Sequence, residues 1–165
     1  MKYTTIKIEG AILSADILDK IEKGDTGGQN AADFGLTGTN TVKDEILRAW
    51  ADAQNLWRTF KSRMERVKEG ETGTSETRRI FMIPFLYLLG YEVETSRAEE
   101  INGRSYAISH RALNRDGFPL HIMGFRDSLD RRRETGGPRM SPHALVQEYL
   151  NVHEHLYALV TNGLQ

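Results

Sequence analysis

The pattern of apolar and polar positions is clearest in the run Pro119-Leu-His-Ile-Met-Gly-Phe125. A short, mostly apolar run of this kind is typical of a strand buried on both faces. A helix is predicted to begin after Ser141, because serine is a good N-cap and the proline that follows it suits the first helical position. The chain becomes apolar again at 156–160 and then reaches the turn signal Thr161-Asn-Gly163. Strand, helix and strand form a βαβ unit, whose two strands are expected to be parallel.

Helical periodicity predicts two helices in the N-terminal part of the chain. Residues 12–21 carry apolar side chains at helical spacing, with Ser14 as N-cap and Gly24 as the stop. Thr41 caps a longer helix, in which apolar residues repeat at alternating spacings of four and three: Ile46, Trp50, Ala53, Trp57, Phe60 and Met64. This stripe is expected to face a core, and both tryptophans are expected to be buried. Before these helices, residues 3–8 alternate as a short edge strand.

Residues 75–109 predict a helix followed by two strands. The helix is apolar nearly all round as far as residue 89, so it is expected to be buried, with a kink at Pro84. Residues 91–95 alternate as a strand, Asn102-Gly103 is a hairpin turn signal, and 104–109 are the returning strand. The predicted fold class is therefore α/β with a mixed sheet. It comprises an αβββαβ core over residues 75–165 and an N-terminal strand and helical extension over residues 1–74.

Composition excludes several classes of protein. The 165 residues include no cysteine, which excludes disulfides and thiolate metal sites. No apolar run approaches the roughly 20 residues that span a bilayer, and the first residues lack the apolar core of a signal peptide. A cytoplasmic protein with no membrane partner is therefore expected.

The net charge of −1 conceals a local excess of arginine. Residues 97–139 contain nine arginines, no lysine and six acidic residues. A guanidinium donates to phosphate in a bidentate fork, so this segment is a candidate DNA-backbone site. The predicted DNA-binding residues lie in and around the connection that follows the central strand: Arg126, Arg131, Arg132, Arg133 and Arg139. The alternative is a solvated loop with internal ion pairs, such as Asp130 with Arg133.

The usual catalytic motifs are absent. The sequence has no G-x-S-x-G elbow, no P-loop and no G-x-G-x-x-G. His153 and His155 would need a further oxygen ligand to bind a metal, and residues two apart do not share a helix face. A surface or helix-end role is the simpler interpretation for both. His121, inside the central strand, is typical of a hydrogen-bonded core histidine.

The order of the predicted elements resembles the αβββαβ core of the PD-(D/E)xK nucleases. In that family a helix reading roughly E-x-x-R…P-L-L-x-x-L-G-Y precedes the first strand, and Glu76-Thr-Arg-Arg79 with Ile83-Pro-Phe-Leu-Tyr-Leu-Leu-Gly-Tyr91 is similar to it. The closing Leu159-Val-Thr-Asn-Gly163 matches the family's "TNG" turn. The whole chain is also similar to the N-terminal region of large bacterial restriction–modification methyltransferases that modify adenine and occur in phage-defence islands. The segments that carry this second resemblance are 8–13, 106–111, 129–132 and 141–150.

This sequence departs from the nuclease family at the positions of its active centre, which predicts that the centre has been lost. An active centre of that family would have an acid on the second strand and Glu-x-Lys on the third, to hold Mg²⁺. The predicted second strand offers Ser105, Ser109 and His110, and the third offers Ile122-Met-Gly-Phe125. The alternative is a degraded Mg²⁺ nuclease that uses the catalytic residues Asp116, Asp127 and Arg126.

The methyltransferase itself is expected to lie outside these residues. The Asn/Asp-Pro-Pro-Tyr/Phe loop and the glycine-rich loop for S-adenosylmethionine do not occur in this sequence. S-adenosylmethionine is therefore implied for a longer parent protein, a site-specific adenine DNA methyltransferase, and no cofactor is expected here. The expected partners are DNA and either the methyltransferase core of the same polypeptide or other defence-system subunits. The chain ends at Gln165, partway into an apparent hairpin, which predicts a front module of a longer polypeptide. A purely structural docking module is the third hypothesis.

Overall fold

The computed structural model describes residues 13–133 and 139–165. The edge strand predicted over residues 3–8 lies outside them. Contacts between Cα atoms divide the chain into two compact units, Met1–Arg48 and Ala49–Gln165. The domain boundary between residues 74 and 75 stays a prediction from the sequence. No helix within the two described ranges is long and apolar enough to cross a membrane.

The helices of the first unit begin and end at the predicted signals. Helix α1 spans Ala15–Lys23, where the Ser14 hydroxyl accepts a hydrogen bond from the Ile17 N–H (3.3 Å) and Gly24 ends the helix with φ of +72°. A 3₁₀ turn spans Ala31–Phe34. Helix α2 spans Val42–Met64, and its residues from 49 onward belong to the second unit. Thr41 and Asp44 form a capping box, since each side chain accepts from the other residue's N–H at 3.2 Å.

The apolar stripe of α2 is only partly buried, so the prediction for its tryptophans was wrong. Phe60 is fully buried; its ring stacks on Phe81 with centroids 4.9 Å apart and meets the edge of Phe125 at 6.0 Å. Trp57 contacts the same aromatic group but is 37% exposed, and Trp50 is 63% exposed. The helical period places Trp50 on the same face of α2 as Phe60, but burial also needs partner side chains at the same level of the helix. The aromatic partners that the second unit supplies contact α2 at positions 57 and 60.

The helix predicted after Ser75 has two parts. A π-helix spans Glu76–Met82 and is followed by α3, Ile83–Leu88. Pro84 lies in the first turn of α3, which continues the π-helix without a break, so its missing N–H removes one possible hydrogen bond to the preceding turn. The kink predicted at Pro84 stays a prediction. Tyr87 and Leu89 are about half exposed, so the expectation that this helix is buried all round was also wrong.

The central sheet has four strands. Its order is β1 (Val93–Thr95), β4 (His110–Ala112), β5 (Phe118–Ile122) and β6 (Leu159–Thr161). The first two pairings are antiparallel and β5–β6 is parallel, with α4 (Pro142–Val152) between β5 and β6 in the chain. The predicted βαβ unit is thereby confirmed. The Ser141 hydroxyl caps α4 by accepting from the Ala144 N–H (3.2 Å).

The hairpin is separate from this sheet. Strands β2 (Glu99–Ile101) and β3 (Arg104–Tyr106) pair with each other around Asn102-Gly103, whose φ angles of +52° and +74° suit the predicted hairpin turn. The second strand of the central sheet is therefore β4, and not residues 104–109 as predicted. A three-residue strand is too short to show a period-two pattern. The α/β class with a mixed sheet is confirmed, and the nuclease-like identity of the core stays a prediction.

The two faces of the sheet are covered by different helices. On one face the buried Ala112, Leu120 and Ile122 pack with Met82 and Leu86 from the π-helix and α3. The other core cluster packs Leu145, Val146 and Tyr149 of α4 with Tyr106 and Ile108. β5, which forms the middle of the sheet, is buried on both faces as its sequence predicts.

Candidate functional site

The candidate site lies at the carboxyl end of β5. Beyond the strand, Met123 still donates its N–H to the Thr161 carbonyl (2.8 Å), and Gly124 follows it, buried. A Cβ on Gly124 would stand 2.3 Å from the Thr72 carbonyl oxygen, so this position needs glycine. The close approach of the two backbones fixes the loop that carries the acidic and basic side chains.

Asp127 is the buried acid of this loop. Its carboxylate accepts a hydrogen bond from the Gly124 N–H (2.9 Å) and a two-point hydrogen bond from the Arg133 guanidinium, with both distances 2.6 Å. Its backbone carbonyl accepts from the Asn162 side chain of the TNG turn (2.9 Å). Asp127 raises the pKa of Arg133 by hydrogen bonding to it. This carboxylate therefore holds the loop together.

Arg126 has an internal role as well. Its guanidinium donates to the backbone carbonyls of Val67, Lys68 and Glu71 at 2.5–3.0 Å, and it lies 5.2 Å from the centre of the Phe125 ring. These carbonyls belong to the segment that follows α2, where a cation also complements the negative end of the helix dipole. Arg126 thus anchors the end of α2 to the loop after β5.

The five predicted DNA-binding arginines divide into two groups. Arg126 and Arg133 are bound within the fold, whereas Arg131, Arg132 and Arg139 are exposed. Within residues 13–133 and 139–165, the three exposed guanidiniums form no ion pair. The alternative of internal ion pairs is confirmed for Arg133, but its partner is Asp127 and not Asp130. Asp130 lies beside His143 (3.0 Å), and Arg133 pairs with Asp127.

Two buried histidines stand at this end of the sheet, on opposite faces. His110 pairs with Leu120 across the antiparallel ladder and shares its face, whereas His121 is the next residue along β5 and points to the α4 face. Burial, and then the charge of Arg78, lower the pKa of each histidine from 6.5 to about 4. Both rings are therefore neutral at pH 7. Arg78 is held here by its own bond, from Nε to the Ile122 carbonyl (2.7 Å).

The two histidines differ in their hydrogen bonds. His110 Nδ1 lies 2.8 Å from the Ser109 hydroxyl, which also accepts from the Ile122 N–H (2.8 Å). His121 is 5% exposed, and its Nδ1 is buried with no hydrogen-bond partner in the described part of the chain. The burial predicted for His121 is confirmed, but the expected hydrogen bond at this nitrogen is absent. The ring lines a cavity of about 20 Å³ together with Arg131 and Arg133.

The acids of the alternative nuclease hypothesis do not meet. Asp116 is exposed in the turn before β5, with φ of +53°, and Asp127 lies beyond the other end of that strand. A five-residue strand separates its ends by more than 10 Å, which is too far for two ligands of one Mg²⁺. Among the residues that the structure describes, no group of three His, Asp or Glu side chains is placed to hold a metal ion.

A second polar cluster surrounds Tyr149 of α4. Arg111 pairs with Glu99 and donates to the Tyr149 hydroxyl (2.9 Å), and that hydroxyl lies 3.2 Å from the other Glu99 oxygen. The rings of Tyr149, His153 and His155 stack in succession with centroids 4.7 Å apart. Burial and then the neighbouring His153 lower the pKa of His155. Both histidines after α4 thus join an aromatic stack.

Sequence reasoning missed Arg78 and the pairing of Glu99 with Arg111. The Glu76-Thr-Arg-Arg79 motif did single out the segment, but it could not show that Arg78 faces the sheet while Arg79 faces solvent. In a π-helix, residues face different directions from those that an α-helical period predicts. The α-helical period therefore could not reveal that Arg78 faces the sheet.

Comparison with protein-family models, with curated proteins and with solved structures gives no match for this chain.

Proposed function

We propose that this chain is a non-catalytic, nuclease-like accessory module that binds the DNA backbone. In this proposal it belongs to the N-terminal region of an adenine-specific restriction–modification methyltransferase that acts in phage defence. S-adenosylmethionine would then be bound by the methyltransferase part of that parent protein. The motif resemblances support the parentage, and the arginines after β5 support the DNA contact.

The observation that carries the proposal is the exposure of Arg131, Arg132 and Arg139. All three lie on the connection between β5 and α4, and α/β sheets usually place their binding sites beyond the carboxyl ends of their strands. Arg126 and Arg133, on the same connection, donate to groups within the fold and hold the loop after β5 in shape. Arg131 and Arg132 therefore lie on a loop that these bonds hold in shape, and a guanidinium can donate to phosphate in a bidentate fork.

The charges near the sheet disfavour Mg²⁺ chemistry. In the nucleases that this chain resembles, acidic residues lie on the second and third strands. Here the corresponding strands, β4 and β5, carry His110 and His121. The guanidinium of Arg78 brings a positive charge close enough to lower the pKa of both rings. The one buried acid of the loop, Asp127, is bonded to Arg133. A Mg²⁺ ion at the end of β4 and β5 would therefore lie near guanidinium cations and neutral imidazoles, with no free carboxylate from this loop to bind it.

The test is the salt dependence of duplex DNA binding. Backbone contacts of this kind give weak binding, on the order of 10⁻⁴–10⁻⁶ M at physiological salt, and each neutralised phosphate adds about 0.9 to the log–log slope. Replacing Arg131, Arg132 and Arg139 together by Ala should therefore lower the slope by up to about 2.7 units. The matched control removes three exposed arginines of and after α2, by Arg58→Ala, Arg63→Ala and Arg66→Ala.

Three outcomes would contradict the proposal. Absence of duplex binding at low salt would favour the structural docking module, and an equal loss of slope in both triple variants would show that the arginines act only through net charge. Mg²⁺-dependent cleavage that disappears in Asp127→Ala would instead establish the degraded nuclease. The parentage is tested separately, by reading whether the open reading frame continues past Gln165 into a methyltransferase.

A further inference from the structure

Arg78, in the π-helix, is a partly buried arginine that uses only one of its nitrogens within the fold. Its Nε donates to the carbonyl of Ile122, the last residue of β5 (2.7 Å). Its two terminal nitrogens have no hydrogen-bond or ion-pair partner in the described part of the chain. Both reach the surface, because the only buried side-chain nitrogen or oxygen without a partner in that part is His121 Nδ1. The free N–H groups of Arg78 are therefore held, accessible, at the carboxyl end of β5.

The charge around Arg78 is positive and is not compensated within the fold. Arg133 is close enough for its charge to act on Arg78, and the Asp127 carboxylate, which acts on both, is bonded to Arg133. Two guanidiniums and one carboxylate leave an excess of one positive charge. Burial, and then the charge of Arg133, lower the pKa of Arg78, and Asp127 offsets this only in part. Because a partly buried cation without a bonded carboxylate is costly, this place favours an anion from outside the fold.

The backbone that carries Arg78 is also unusual. Residues Glu76–Met82 form a π-helix, and π-helical turns are rare in proteins and frequent at functional sites. In this geometry Arg78 reaches the sheet, whereas its neighbour Arg79 is exposed to solvent. An uncommon helix geometry thus presents one guanidinium at the end of β5.

We infer that the terminal nitrogens of Arg78 bind one phosphate group at the carboxyl end of β5, beside Arg133. The fork of a guanidinium matches two oxygens of a phosphate, and the bond from Nε to Ile122 holds that fork in place. The inference rests on the proposed function in so far as the phosphate belongs to DNA. Arg131 and Arg132 lie on the connection that leaves the same end of β5, so Arg78 adds a contact on the π-helix to that surface. The shared chemistry is a phosphate oxyanion, either a DNA phosphodiester or the terminal phosphate of a nucleotide.

The first experiment titrates the ¹⁵N-labelled full chain with inorganic phosphate at constant ionic strength and follows the arginine Nε–H signals. The Arg78 signal should shift and saturate. That of Arg126 should not respond, because its terminal nitrogens already donate to backbone carbonyls. This measurement needs no substitution, so a variant that fails to fold cannot obscure it. Acetate is the comparison anion, and an equal response to acetate would overturn the assignment to phosphate.

The second experiment compares two neighbouring variants of the same charge. Arg78→Gln should weaken phosphate binding about tenfold or more, because it removes a charge-assisted two-point hydrogen bond. Arg79→Gln is the matched control: it removes the same charge from the next, exposed residue and should bind phosphate as the parent does. Arg78→Lys keeps the charge but loses the fork, so it should recover only part of the affinity.

Duplex DNA with 5′-hydroxyl ends and a nucleoside monophosphate then distinguish the two sources. An Arg78 response to the duplex indicates a backbone phosphate, and a response to the nucleotide alone indicates a terminal one. The inference is overturned if phosphate leaves the Arg78 signal unchanged, or if Arg78→Gln and Arg79→Gln bind phosphate equally. Phosphate binding at Arg78 without salt-dependent duplex binding would refute the proposed function but keep this site. Salt-dependent duplex binding with an unchanged Arg78 signal would refute the site but keep the proposed function.

Discussion

Acidification should destabilise this protein through its two buried histidines. The pKa of both His110 and His121 is about 4 in the folded chain and 6.5 in the ordinary, unfolded environment. As the pH falls, the unfolded state therefore binds protons first. The contribution of the two neutral histidines to the free energy of unfolding is complete above pH 6.5 and is lost as the pH falls toward 4. At pH 5 each histidine is almost fully protonated in the unfolded chain and about one-tenth protonated in the folded chain. Acidification to pH 5 therefore lowers the free energy of unfolding by about 2 kcal/mol for each histidine. The two together are a large part of a typical total of 5–15 kcal/mol.

Urea unfolding of the parent and of His121→Phe at pH 7, 6 and 5 measures this effect. The variant keeps the contributions of the carboxylates and of His110, so its loss of unfolding free energy between pH 7 and 5 should be smaller by about 2 kcal/mol. Leu145→Ala is the control, because it removes a buried apolar neighbour of the same cavity and no titratable group, so its pH dependence should equal that of the parent. The reasoning is refuted if His121→Phe keeps the full pH dependence, or if NMR shows the His121 ring titrating near pH 6.5.

Three further predictions concern stability. Phe60→Ala should lower the free energy of unfolding by about 3–5 kcal/mol because its ring is fully buried. Trp50→Ala should lower it by less than about 1 kcal/mol because that ring is largely exposed. Equal losses for the two variants in urea unfolding would contradict the structure. Arg133→Ala should cost about 3 kcal/mol by leaving Asp127 buried without its cation, and a thermal melt unchanged from the parent would disprove that role. Gly124→Ala should cost several kcal/mol, since its Cβ would meet a backbone carbonyl at 2.3 Å, and circular dichroism melting would show a native Tm if the two backbones can separate.

The sequence by itself determined the elements whose signals are local. Ser14 and Ser141 cap their helices through a hydrogen bond to an N–H three residues ahead, and Asn102 with Gly103 supplies the φ angles of the hairpin turn. The apolar run of β5 and its parallel pairing were also predictable, because a strand buried on both faces needs apolar residues at nearly every position. For the caps and the turn the physical cause lies within a few residues of its signal, and the parallel pairing follows from the helix that connects β5 to β6.

Tertiary structure decided what the arginines and histidines do. Arg126 and Arg131 look alike in the sequence, but the first binds carbonyls 55–59 residues away and the second is exposed beside a cavity. Likewise, Trp50 follows the same helical period as the buried Phe60, yet it stays largely exposed. The neutral state of His121 depends on the burial of its ring, which shares a cavity with Pro142 and Leu145 of α4, and on the charge of Arg78 from the π-helix. A side chain's partners and its pKa are set by groups distant along the chain, and only the packed fold brings those groups together.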